Sequence, residues 1–251
     1  MRSKIGLNLT NYYSPNFNPH IRAKKFIKFI IIHYTGMKSQ SAAIKKLCSL
    51  GSKVSSHYFI KDNGGIINLV PDLYEAWHAG VSGWKNFKSL NKYSIGIEIN
   101  NPGHNHGYRK FKSKQISSLK KLLKRLISTY KIKRSNILGH SDIAPNRKKD
   151  PGEKFPWKIL AKNKLCYWHG LNEKEIKIYR NKKITKKEKY IFFKNLYKFG
   201  YSKILIKNRS FLIKAFQRKF RQDLIHGKID RECLVISKNL VKSYNIILEI
   251  N

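Results

Sequence analysis

Short isoleucine-rich runs bounded by polar turns come first along this chain, and stripes of 3.6-residue period come later. Residues 26–33 are apolar except for Lys28 and end at His33 in a polar turn, which predicts a buried strand. From Ser39 to Leu50, Ala43, Ile44, Leu47 and Cys48 share one face and Gly51 supplies a stop, so this segment is predicted helical. His57–Ile60 and Ile66–Val70 flank Asp62-Asn63-Gly64-Gly65, a strong tight-turn signal, and predict a hairpin. Leu73–Lys92 is long and irregular, with Trp77, His78, Gly80, Gly83 and Trp84, and long ordered loops often carry function. Ser94–Asn100 alternates, placing Ile95, Ile97 and Ile99 on one face and Ser94, Gly96 and Glu98 on the other. Lys114–Tyr130 is the clearest helix, with Ile116, Leu119, Leu123, Leu126, Ile127 and Tyr130 in one stripe. A short strand is expected at Asn136–Gly139. His140–Trp157, aperiodic with three prolines, reads as loop.

This order predicts an α/β fold with a mixed central sheet flanked by helices. The character changes near Gly170. After a charged, linker-like run at Lys182–Lys189 only helices are predicted: Glu188–Phe199 ended by Gly200, Ser210–Phe220, and a third opening at Asp230, a good N-cap. The expected division is a catalytic unit at 1–168, a linker at 169–183 and a small three-helix domain at 184–251.

With 41% hydrophobic and 12% aromatic residues, the chain can bury a core and is not a disordered type. Its 53 Lys+Arg against 14 Asp+Glu favours anionic partners. The lysines are spread throughout, however, as filled solvent-facing positions would be. No concentrated basic stripe with interleaved aromatics appears, so no nucleic-acid partner is expected. Cys48, Cys166 and Cys233 form no disulfide framework and suit a reducing compartment. The basic start Met1–Asn8 lacks a following apolar segment, and residues 26–32 are too short to span a bilayer. The expected location is therefore the cytoplasm, or the periplasm or outer envelope if the true N-terminus carries a signal.

His33 ends a predicted strand, His140 follows another, and Asp150 precedes Pro151-Gly152. Two histidines and a carboxylate form a catalytic zinc ligand set. From spacing alone, a histidine at a strand end is more often a hydrogen-bonded core residue and an aspartate before Pro-Gly is usually a turn residue.

The wider pattern resembles the type-2 N-acetylmuramoyl-L-alanine amidases, the AmpD/AmiD-like group of the peptidoglycan recognition protein superfamily. The resemblance runs from about Ser14 to Trp157. Its pieces are Ser14-Pro15-Asn16-Phe17-Asn18-Pro19, Ile32-His33-Tyr34-Thr35-Gly36, Ser55-Ser56-His57-Tyr58, Ala76-Trp77-His78-Ala79-Gly80, Ser94-Ile95-Gly96-Ile97-Glu98, Gly139-His140-Ser141-Asp142-Ile143-Ala144-Pro145 and Arg147-Lys148-Lys149-Asp150-Pro151-Gly152. It implies Zn2+ held by His33, His140 and Asp150, with Glu98 as the acid/base carboxylate and Lys148 facing the oxyanion. The implied reaction is hydrolysis of the amide between N-acetylmuramoyl, or 1,6-anhydro-N-acetylmuramoyl, residues and L-alanine of the stem peptide. Peptidoglycan or muropeptide fragments are the implied partners. The alternative, a muropeptide-binding protein without catalysis, is opposed by the intact residue set. His57, His78, Trp84 and Asn91 are carried as substrate-groove candidates, His57 chiefly as a residue holding a backbone contact beside the site. His104 and His106 are expected to be exposed. Farther on, Ala215-Phe216-Gln217-Arg218-Lys219-Phe220, Gly227-Lys228-Ile229-Asp230 and the helix through Leu234 and Leu240 resemble a small peptidoglycan-binding domain.

Overall fold

The computed structural model describes residues 9–203 and 208–249. Six strands form the main sheet: β1 (Leu9–Asn11), β2 (Phe29–Tyr34), β3 (Tyr58–Ile60), β4 (Ile66–Asn68), β5 (Ser94–Ile99) and β6 (Ile137–Gly139). They lie in the order β1-β4-β3-β5-β2-β6. Only the β3–β4 hairpin is antiparallel and every other pair is parallel, so the sheet is mixed as expected. The helices are α1 (Gln40–Cys48), α2 (Ser113–Tyr130), α3 (His140–Ile143), α4 (Trp157–Lys162), α5 (Glu173–Ile176), α6 (Lys186–Phe199), α7 (Arg209–Phe220) and α8 (Arg231–Glu249).

Side-chain alternation assigns each face of the sheet its cover. Ile30 and Ile32 of β2 join Ile95, Ile97 and Ile99 of β5 beneath α2, where Leu119, Leu122, Leu123 and Leu126 are buried. Phe29 and Ile31 point the other way, into a cluster with Phe192, Leu196, Phe199, Phe216 and Phe220 of α6 and α7. Beside them on this second face, α1 lays Ala43 and Leu47 on Phe59 and Ile67. The sheet-side and C-terminal apolar groups thus form one continuous cluster, a burial that segment-by-segment periodicity does not reveal.

Three expected irregular stretches hold structure. Leu73–Lys92 contains two-residue strands at Glu75–Ala76, Gly83–Trp84 and Phe87–Lys88, and a 3-10 turn starts at Leu90. His140–Ile143 makes one helical turn, because the Asp142 carboxylate accepts the Gly139 N–H at 2.8 Å and caps it. The charged run after Lys182 becomes helical from Lys186, because Thr185 and Glu188 form a reciprocal capping box. Asp230 accepts the Cys233 N–H at 3.0 Å, as an N-cap does. Among the described residues no helix is long and apolar enough to cross a membrane.

Candidate active site

Strands β2, β5 and β6 run parallel, so their carboxyl ends lie together, where open α/β sheets place their ligands. His33 stands near the end of β2, Glu98 is its register partner on β5, and His140 begins the turn after β6. Asp150 returns to this point because its backbone carbonyl accepts the Ser141 N–H at 2.9 Å.

His33 Nδ1, His140 Nδ1 and Asp150 Oδ2 form a buried triangle with separations of 2.9, 3.0 and 3.1 Å. Tetrahedral zinc with bonds of ~2.0–2.2 Å needs donors roughly 3.4 Å apart, so this triangle needs to open only slightly to fit. Two imidazoles and one carboxylate also match zinc's preference in catalytic sites. His33, His140 and Asp150 are the one such donor cluster among the described residues.

The hydrogen bonds behind the triangle set the tautomers. The Ser94 hydroxyl donates to the Leu90 carbonyl at 2.6 Å, so at 3.1 Å it accepts from His78 Nε2–H. His78 Nδ1 then accepts from His33 Nε2–H at 3.1 Å, which turns the His33 Nδ1 lone pair toward His140 and Asp150. His140 Nε2 lies 3.1 Å from the Ala79 carbonyl and 3.3 Å from Arg147 Nη2, and a proton on Nε2 directed at the carbonyl leaves Nδ1 free for a metal. Such outer partners orient metal-binding imidazoles. The His78 ring needs Gly96 beneath it, since a Cβ there would stand 2.4 Å from the ring.

Burial, reinforced by His140, lowers the His33 imidazole to about 4 and favours the neutral form a metal requires. Burial alone would raise Asp150, but His140 and His33 outweigh it and hold the carboxylate well below its usual range. Glu98 goes the other way: burial and then Asp150 push its carboxyl up to about 8 against the pull of Lys148 and Lys46. Its Oε2 is shut off from solvent without a hydrogen-bond partner. Such a carboxyl is suited to carrying a proton near neutral pH.

A groove of about 410 Å³ opens on this cluster. His33, His78, Glu98, His140, Lys148 and Asp150 line it, with Lys46, Arg147 and Lys149 adding positive charge and Trp77 an apolar wall. Lys46 gave no signal in sequence, because only the packing of α1 on β3 and β4 brings it here.

The remaining groove candidates lie elsewhere. His57 is buried behind the site, where Nδ1 accepts the Gly96 N–H at 2.9 Å and Nε2 meets the Tyr74 carbonyl at 3.0 Å. Asn91 accepts the N–H groups of His78 and Ala79 and so shapes the loop carrying His78. Trp84 is wholly buried against Phe199 and Tyr201, because the C-terminal chain covers it. His104 at the rim is half-buried rather than exposed, 2.8 Å from the Tyr34 hydroxyl and 3.1 Å from Glu153. His106 is exposed.

Comparison with known proteins agrees with this geometry. Residues 23–153 match the N-acetylmuramoyl-L-alanine amidase family Amidase_2. The amidase AmiD of Escherichia coli K12 is 35% identical over 234 residues, 87% of this chain and 83% of that protein. A Haemophilus influenzae 1,6-anhydro-N-acetylmuramyl-L-alanine amidase AmpD is 41% identical over 106 residues, 42% of this chain and 55% of that one. The structure of E. coli AmiD in complex with anhydro-N-acetylmuramic acid-L-Ala-D-γ-Glu-L-Lys superposes with a TM-score of 0.76 at 32% identity, covering 90% of this chain and 92% of that one. AmpDH3 of Pseudomonas aeruginosa, in complex with an anhydromuramic pentapeptide, gives 0.77 at 30% identity over 90% and 94% of the two chains. The chain belongs to the N-acetylmuramoyl-L-alanine amidase family.

Proposed function

We propose that the protein is a zinc-dependent amidase that cleaves the bond between N-acetylmuramoyl or 1,6-anhydro-N-acetylmuramoyl residues and the L-alanine of the stem peptide. The observation that carries this reading is the buried His33–His140–Asp150 triangle facing Glu98 across one cationic groove. The relatives captured with anhydromuramyl peptides support the substrate class.

Zinc held by His33, His140 and Asp150 would supply a Lewis acid that acidifies water and polarises a carbonyl. Glu98, whose Oε2 has no competing partner, takes the proton of the attacking water. The water oxygen joins the lactyl carbonyl carbon, and the C–N bond breaks as Glu98 delivers the proton to the alanine nitrogen. Lys148, on the groove wall, balances the charge that gathers on the carbonyl oxygen. Lys46 and Lys149 suit the stem-peptide carboxylates.

The test is release of L-alanyl peptide from an anhydro-muropeptide and from intact peptidoglycan by the purified, zinc-loaded chain. Turnover lost on chelation and regained with zinc is expected. Full turnover by metal-free protein overturns the reading.

The division at 1–168, 169–183 and 184–251 remains our proposal, with the last part engaging peptidoglycan, on the strength of its resemblance to wall-binding domains. In the fold, Gln217 of that motif holds the turn before α8, accepting N–H bonds from His226 and Gly227. Co-sedimentation of the full chain with purified sacculi tests this role, and no retention counts against it. The three free thiols support a cytoplasmic location. Recovery from the envelope fraction of cells overturns that part.

A further inference from the structure

Asp142 is buried two residues beyond His140, and its carboxylate gathers three donors. Oδ2 accepts the Gly139 N–H at 2.8 Å and the Lys219 ammonium at 2.9 Å, and Oδ1 accepts the Tyr201 hydroxyl at 2.9 Å. Only the first donor is local. Lys219 comes from α7 and Tyr201 follows α6, so two of the three reach in from the C-terminal helices.

Lys219 is unusual in its own right. Its side chain is 4% exposed, donates also to the Ile137 carbonyl at 3.2 Å, and lies 4.4 Å from the Trp157 ring centroid. A buried ammonium and a buried carboxylate each need the other, since removing one strands a charge without solvent. Tyr201 is fixed in turn. Its ring packs 4.8 Å from that of Trp84, and the neighbouring Gly200 carbonyl accepts the Lys85 N–H at 2.6 Å. The chain that carries Trp84 leads back to Ala79, whose carbonyl meets His140 Nε2. The C-terminal helices therefore grip the His140 turn through Asp142 and brace the loop that holds the imidazole.

We propose that Lys219 and Tyr201 are positioning residues for the metal-binding histidine, acting through Asp142, so that the C-terminal helices complete the zinc site from behind. This rests on the reading that His33, His140 and Asp150 hold zinc. A contact that merely docked the helices would be indifferent to the placement of His140. These bonds converge on the one turn that carries it.

The test compares the full-length wild type with K219M, which keeps an unbranched apolar stem over Trp157, and with Y201F, which leaves the ion pair intact. Zinc affinity is measured by competition with a chromophoric chelator, turnover on an anhydro-muropeptide at saturating zinc, and Tm by circular dichroism. K219M is expected to weaken zinc binding by about tenfold, in the range for outer partners of metal ligands, and to lower kcat while KM stays within about twofold. Y201F is expected to shift both in the same direction by less. Zinc affinity and kcat at wild-type levels beside a lowered Tm overturn the proposal and leave a docking contact. If K219M fails to fold, Y201F decides by the same two readouts. A wild type that binds zinc without hydrolysing substrate refutes the proposed function, and the zinc affinities still decide this inference.

Discussion

His78 Nδ1 lies 3.1 Å from His33 Nε2, and this contact decides which nitrogen of His33 faces the metal triangle. Ser94 anchors the far side of His78, and its own hydroxyl proton is committed to Leu90. The proton order therefore runs in one direction from His33 through His78 and Ser94 to the Leu90 carbonyl.

His78→Ala is expected to weaken zinc binding by ~10- to 100-fold, and Ser94→Ala by less, because each frees the His33 ring to turn or change tautomer. Chelator competition measures this. Unchanged affinity in His78→Ala would show that β2 alone orients His33.

Glu98→Gln should keep zinc affinity and the fold, since Glu98 Oε2 has no partner to lose. Turnover should fall by about 10²- to 10⁴-fold, the usual worth of a positioned acid/base group. Retention of more than a tenth of the activity assigns the proton transfers to another group.

Phe216 sits in the cluster shared by the sheet and the C-terminal helices. Phe216→Ala should cost about 3–5 kcal/mol. Because that cluster is continuous, unfolding of the whole chain should show one transition, shifted as a unit. Calorimetry reads both. Two separated transitions, with only one moved, would mean that the helices fold on their own.

Asp223 accepts from Arg180 at 2.9 Å and Lys177 at 3.1 Å. Burial tends to raise its pKa, but Arg180 and then Lys177 overcome this and lower it to about 2. With the folded value below the unfolded one, the pairing stabilises the fold above pH ~4 and the benefit disappears as pH falls toward 2. The carboxylate is 49% exposed, so solvent screening limits the effect to under ~1 kcal/mol. Asp223→Asn should lower Tm slightly at neutral pH and match wild type near pH 2. An equal loss at both pH values would exclude the ion pair as its cause.

Local pattern alone determined much of this protein. The alternation through Ser94–Ile99 puts Glu98 opposite the isoleucines, and the structure faces them to α2 and Glu98 to the groove. His33, His140 and Asp150 were visible as residue types at strand ends and in a returning loop, because strand direction and turn chemistry are short-range properties. Their convergence was carried by the family resemblance and not by spacing, since it depends on the parallel register that sets His33 beside Glu98 and β6 beside β2. Trp84 shows the same limit: an aromatic in a long loop suits a groove wall or a core anchor equally, and only the arrival of Phe199 and Tyr201 made it the latter. Lys219 is the extreme case. Among 53 basic residues it was legible only as part of the Ala215–Phe220 stretch that resembles a wall-binding domain, and it gains its role beside the site because folding brings a helix from the far end of the chain against the turn that carries His140. Periodicity encodes which face of an element is buried. Which distant charge it is buried against is decided by packing.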